Sequence, residues 1–108
     1  MRPDFVLHNT SVKAGREAYR EAIKAVWRAF PDLSVEILDL VAEGDRVVAR
    51  YVERGTHLGE LDGLTPTGQG YEKHGIAIYR LVNMQLAEAW MQEDDLGWFR
   101  QLGLLNAR

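Results

Sequence analysis

Cysteine is absent from the 108 residues, so neither a disulfide framework nor a thiolate zinc site can form, and the composition suits a reducing compartment. No block of like charge occurs either. The 13 Lys and Arg and 16 Asp and Glu are interspersed and leave a net charge of -3. Without a basic stripe to meet phosphate or anionic lipid, neither nucleic acid nor a membrane surface is expected as a partner. Long hydrophobic runs are also missing. No stretch approaches membrane-spanning length, and Met1-Arg-Pro-Asp-Phe-Val-Leu-His8 has no apolar core of signal-peptide length, which makes the cytoplasm the expected location. Repeats, linkers and low-complexity segments are lacking, so residues 1–108 read as one domain. At 46% hydrophobic content that domain is large enough to bury a core.

Within it, the hydrophobic period changes several times. Phe5–Asn9 is a short apolar run closed by polar turn formers, which favours a strand. From Gly15 to Phe30 the side chains of Tyr19, Ala22, Ile23, Val26, Trp27 and Phe30 fall three and four apart, the stripe of an amphipathic helix expected to pack on a sheet. Pro31 and Asp32 end it. Leu33 to Ala42 alternates with both faces partly apolar, predicting a strand covered on two sides. Glu43-Gly44-Asp45 then turns the chain into Arg46–Thr56, an antiparallel neighbour.

Gly55 to Gly70 holds five glycines and Pro66 and reads as a loop, or as two turns joined by an extended piece. Loops of that length in a compact domain are often binding loops. Tyr71–Val82 returns as a strand, Asn83-Met84 makes a tight turn, and Leu86 opens a last strand that runs into a short helix. Glu88, Trp90, Gln92 and Asp94 share one parity of that strand and are expected on one surface. Beyond them Leu96, Phe99 and Leu102 fall at helical spacing. This order predicts an α+β fold, with a long helix lying on a curved antiparallel sheet.

Several strings carry a resemblance through their joint order and spacing. They include Asp4-Phe-Val-Leu-His-Asn9, Phe30-Pro-Asp-Leu33, Glu43-Gly-Asp-Arg-Val47, Gly55-Thr-His57 and Pro66-Thr-Gly68. Ile78-Tyr-Arg80, Glu88-x-Trp90, Asp94 ahead of Leu96-Gly97, and Gln101-Leu-Gly103 continue the pattern. Over nearly the whole chain the sequence resembles the SnoaL-like polyketide cyclases, a branch of the nuclear transport factor two-like superfamily. The resemblance implies a cone: a strongly bent antiparallel sheet around a pocket, closed by helices. It also implies intramolecular aldol ring closure of an aromatic polyketide with no metal and no cofactor, an aspartate serving as general acid/base. The family's aspartate falls at Asp94.

Two departures bear on this. Relatives carry one or two helices ahead of the Asp-Phe-Val-Leu-His strand, and an uncovered apolar face there predicts a homodimer. Met84 stands where the family turn has glycine, so that turn is expected to be strained or of another type.

A carboxylate that takes a proton from carbon needs an apolar pocket, because desolvation brings its pKa toward working pH. Trp90 shares a strand face with Asp94 and could supply that environment. The competing role is an N-cap for the last helix, and the tandem Asp94-Asp95 suggests divided labour, Asp94 for the pocket and Asp95 for the cap. The resemblance puts His8 near the pocket mouth, where it could hydrogen-bond a carbonyl or orient Asp94. An oxyanion donor could be His8, Asn9, Tyr51 or Tyr79, while Trp27, Trp90 and Tyr51 could stack on a flat apolar ligand.

His57 and His74 are weaker binding candidates, and no two histidines stand at a metal-ligand spacing. Arg80 and Arg50 sit mid-strand and need partners, with Glu88 a natural one. Epoxide hydrolysis would call for an Arg-x-Asp pair, but Val52 and Val82 occupy those offsets. The alternative to a cyclase is a non-catalytic domain of the same fold that binds a small apolar ligand or dimerises. Asp94 held by helix N–H groups and open to water would favour it.

Overall fold

A computed structural model describes residues 1–9 and 12–104, with the side chains of Asn9, Val12 and Lys13 outside the description. The chain forms β1 (Val6–Asn9), β2 (Val12–Gly15), α1 (Arg16–Ala29), β3 (Ser34–Glu43) and β4 (Arg46–Thr56). It continues through β5 (Gly70–Val82) and β6 (Gln85–Glu93) to α2 (Asp95–Gln101). The six strands make one sheet in the order β2-β1-β6-β5-β4-β3. Neighbours are antiparallel except β1 and β6, which run parallel. The α+β class is as the sequence predicts. β2 is an addition: its four residues are too few and too mixed to show a period, and they are held by pairing with β1.

The helix stripe meets the sheet only at its ends. Near the start of α1, Tyr19 stacks on Phe5 with ring centroids 5.5 Å apart, joining a cluster of Phe5, Leu7 and Ala89. At the other end Ala29 and Phe30 are fully buried with Leu61, Tyr71, Trp98 and Leu102. Between these two cores Ala22, Ile23, Val26 and Trp27 line a cleft, and Trp27 remains 48% exposed.

β3 departs from its expectation. It is the last strand of the sheet, and Val35, Ile37, Leu40 and Val41 are each more than half exposed. The two-sided apolar pattern therefore marks an uncovered edge, because α1 packs on β1 and β2 at the opposite end of the sheet.

The glycine-rich segment is an ordered pair of turns. His57 N–H donates to Gln69 O and Gly68 N–H to His57 O. Between them, Leu61 and Leu64 pair across a tight turn with positive φ at Asp62 and Gly63. The segment is tied to α1, since Leu58 N–H and Gly59 N–H both donate to Ala29 O. A Cβ at Gly59 would stand 2.1 Å from Arg28 O, so only glycine permits this approach. In the β5–β6 turn Asn83 and Met84 have φ of 50° and 62°. The turn keeps the primed hairpin geometry, and Met84 carries the strain that the sequence predicts.

Candidate active site

Small residues decide which sheet face bounds the cleft. Ala49, Ala77, Ala87 and Ala89 are buried, and strand alternation sends Tyr51, Glu53, Lys73, Met91 and Glu93 to that same inner face. A cavity there has a volume of about 440 Å³, within the range of small-molecule sites. Two smaller cavities of about 180 Å³ adjoin it, and Tyr19, Met91 and Glu93 line all three. The apolar stripe of α1 forms the facing wall.

A charged cluster sits at the base of this cleft. The Lys73 side chain is 6% exposed, with its Nζ 3.5 Å from Glu93 Oε1, 3.6 Å from Asp95 Oδ1 and 3.8 Å from Glu53 Oε2. The ammonium also lies 3.8 Å from the Trp98 ring centroid, a cation–π contact. Two phenols complete the cluster: Tyr51 donates to Glu93 Oε2 at 2.5 Å and Tyr71 to Glu53 Oε2 at 2.5 Å. Burial, and then the bond to a carboxylate, push both hydroxyls well above the usual tyrosine range, so each remains a proton donor. Burial also raises Tyr79, and Tyr19 to about 12. Gly75 makes room for the Tyr51–Glu93 pair, since a Cβ there would fall 2.7 Å from the Tyr51 ring and 3.0 Å from Glu93 Cγ.

The expected surface of Glu88, Trp90, Gln92 and Asp94 lies elsewhere. Glu88 and Trp90 have the opposite parity and face away from the cleft, where Glu88 accepts from Arg80 Nε at 2.9 Å and pairs with His8 Nε2 at 2.6 Å. The bond to Arg80, followed by that to His8, holds the Glu88 carboxyl below its usual range. His8 stacks on Trp90 at 5.1 Å, and the Arg46 guanidinium lies over the same indole at 5.1 Å. This confirms the Arg80–Glu88 pairing, while Arg50 takes Asp39 at 2.6 Å. It also places His8 and Trp90 outside the cleft.

Asp94 is the N-cap of α2. Its Oδ1 accepts from Gly97 N–H at 2.9 Å and the residue is exposed. The expected division of labour is thus reversed, with Asp94 on the helix and Asp95 toward Lys73. The physical reason is the helix start itself: the N-cap precedes the first helical residue, which here is Asp95.

Of the other candidates, Tyr51 and Tyr79 line the cleft and Trp27 lies on its helical wall. His57 is fully buried, with Nδ1 near Thr67 and its ring against Phe30. It is absent from the cleft linings because it anchors the turn segment. His74 is exposed beside Glu72 on the outer face. The Asn9 side chain lies outside the described residues. Among the described residues no group of His, Asp and Glu is arranged to hold a metal, and no helix is long and apolar enough to cross a membrane. Glu53, Lys73 and Glu93 were not singled out from sequence, and Asp95 was expected only as the helix cap. The available signal was a lysine in parity with Tyr71, Gly75, Ala77 and Tyr79, the small and aromatic face of β5.

A six-stranded curved sheet left open at its edge, a long helix across a cleft and a short closing helix define an α+β fold of the nuclear transport factor two-like kind. The sequence model of the SnoaL-like polyketide cyclases matches residues 1–102, and the chain belongs to that family. It is 29% identical over 104 residues to the aklanonic acid methyl ester cyclase DnrD of Streptomyces peucetius, covering 95% of this chain and 71% of that protein. Among solved structures it is similar to TsrD from Streptomyces laurentii, at 35% identity and a TM-score of 0.84 over 96% of this chain and 78% of that one. AclR from Streptomyces galilaeus, described as a candidate hydroxylase, superposes at a TM-score of 0.88 with 30% identity, covering 97% and 79% of the two chains.

Proposed function

We propose that the protein is a cofactor-independent cyclase that closes a ring in an uncharged, largely apolar carbonyl compound, with Glu93 as general acid/base. The observation that carries this reading is the position of Glu93. It lines every part of the cleft, faces the apolar wall of α1 and is held by a protonated Tyr51. A carboxylate so placed can take a proton from carbon next to a carbonyl. The enolate carbon then attacks a second carbonyl of the same molecule, one carbon–carbon bond forms, and the new alkoxide recovers the proton from Glu93. Nothing is added or lost, which is why no cofactor is needed.

The curated relative is named for a methyl ester substrate, and the excess of carboxylates over Lys73 in the cleft supports the same preference. A free acid would meet repulsion that its ester would not. The test uses a simple aryl ketone, methyl para-acetylbenzoate, whose methyl-ketone protons exchange with deuterium at a rate read by NMR. The wild-type protein accelerates this exchange, and Glu93→Gln removes roughly 10²–10⁴-fold of it. An exchange rate unchanged by Glu93→Gln would end the assignment.

One observation favours a second reading. Asp94, the residue aligned by resemblance with the family's acid/base group, is exposed and held by a helix N–H, as expected of a pocket that binds an apolar ligand without chemistry. Binding of the ketone with no acceleration of exchange supports that alternative. Two copies of the chain are expected to associate, because β3 leaves four apolar side chains at an open edge. A light-scattering mass of a single chain at micromolar concentration would refute the dimer.

A further inference from the structure

We infer that Lys73 is the catalytic residue that binds the substrate's carbonyl oxygen and holds the charge of the enolate. This rests on the reading of Glu93 as the base, and four observations point to it. The lysine side chain is more than nine-tenths buried, yet it lines two parts of the cleft, including the 440 Å³ cavity. Its ammonium is surrounded by carboxylates but bonded closely to none, the nearest carboxylate oxygen being 3.5 Å away. A charge-assisted N–H···O bond settles near ~2.8 Å, so all three carboxylates stand beyond close bonding distance and the ammonium has room for a nearer acceptor. Finally, the Trp98 face lies 3.8 Å from Nζ, so the ammonium is flanked by an indole as well as by Glu53, Glu93 and Asp95.

A carbonyl oxygen entering the cleft supplies that nearer acceptor. Its α-carbon then lies toward Glu93, whose Oε2 is already occupied by Tyr51 while Oε1 faces Lys73. When the proton moves from carbon to Glu93, the negative charge moves from that carboxylate to the enolate oxygen. The net charge around the ammonium is the same before and after the step. Lys73 thus exchanges one anionic neighbour for another, closer one, the kind of differential stabilisation that lowers a barrier.

A structural alternative is that Lys73 only neutralises its neighbours, in which case its removal would harm folding alone. The experiment separates the two. Carbon-13-labelled ketone in methyl para-acetylbenzoate is bound to the wild-type protein, and its C=O stretch is read by difference infrared spectroscopy. The expected result is a stretch well below that of the same ketone in hexane. In Lys73→Met the stretch returns toward the hexane position, and deuterium exchange falls by roughly 10²–10³-fold, the range for losing one oxyanion donor. Lys73→Arg, which keeps the charge, restores part of the shift and guards against a methionine variant that does not fold.

A hexane-like stretch in the wild-type complex overturns the assignment, as does a folded Lys73→Met with unchanged exchange. If exchange survives Glu93→Gln while the infrared shift persists, the base is wrong and the carbonyl site stands.

Discussion

Two clusters on opposite faces of the same strand pair invite comparison. On the outer face Glu88 meets Arg80 and His8 at 2.9 and 2.6 Å, and each acceptor has its donor at bonding distance. On the inner face one lysine is shared by three carboxylates at 3.5 to 3.8 Å, beside a cavity. Both combine β6 glutamate, a cation and tryptophan, so composition does not separate them. What separates them is saturation. The outer cation and carboxylate are closely paired, whereas in the inner cluster the phenols hold the glutamates and the lysine is left without a close carboxylate beside the cavity. A buried cation without a close partner next to a cavity is a better pointer to chemistry than charge density alone.

The largest effect expected from this contrast is kinetic. Glu93→Gln should abolish most of the deuterium exchange, while Glu88→Gln, five residues along the same strand, should leave the rate within about twofold, since surface pairs contribute little. Equal losses in both variants would break the comparison. A smaller effect tests the residue between strand and helix. Asp94→Ala should lower stability by about 1 kcal/mol through the lost cap, seen as a fall of several degrees in Tm, with exchange intact. Asp94→Asn should change neither, because asparagine caps as well as aspartate. Loss of exchange in a folded Asp94→Asn protein would return the acid/base role to Asp94.

The smallest effect concerns pH and the outer cluster. The Glu88 carboxyl is depressed in the folded state by Arg80 and His8, so its contribution is present above the ordinary glutamate pKa, about 4.3. It is lost as pH falls through the folded value. Tm of the wild-type protein should therefore fall more steeply below about pH 4.3 than that of Glu88→Gln. Parallel curves would show that the outer network adds no pH-dependent stability.

Much of the fold was legible because alternation and helical spacing are local. The strands from Ser34 to Glu93 and both helices lie close to where the sequence puts them. The resemblance also led to the right family. Which face of each strand looks inward was not legible. A hydrophobicity argument favours Ile76 and Ile78 or Trp90 as the inner set, but a sharply curved sheet crowds its inner surface. The residues that fit there are Gly75, Ala77, Ala87 and Ala89, with tyrosines between them. Large apolar side chains on the outer face, such as Ile76 at 49% exposure, follow from the same crowding. The Lys73 cluster was hidden for this reason, since its members come from three strands and the start of a helix, and no local period unites them.

The double acceptance at Ala29 O has a dynamic consequence. Leu58 and Gly59 both donate to that carbonyl, so the turn segment cannot lift away without stripping the last turn of α1 of its acceptor's partners. Segments joined in this way open together as one unit of local unfolding. The wall of the cleft and the turns behind it are therefore expected to loosen as one, and the joint between them exists only because Gly59 has no side chain to hold it off Arg28 O.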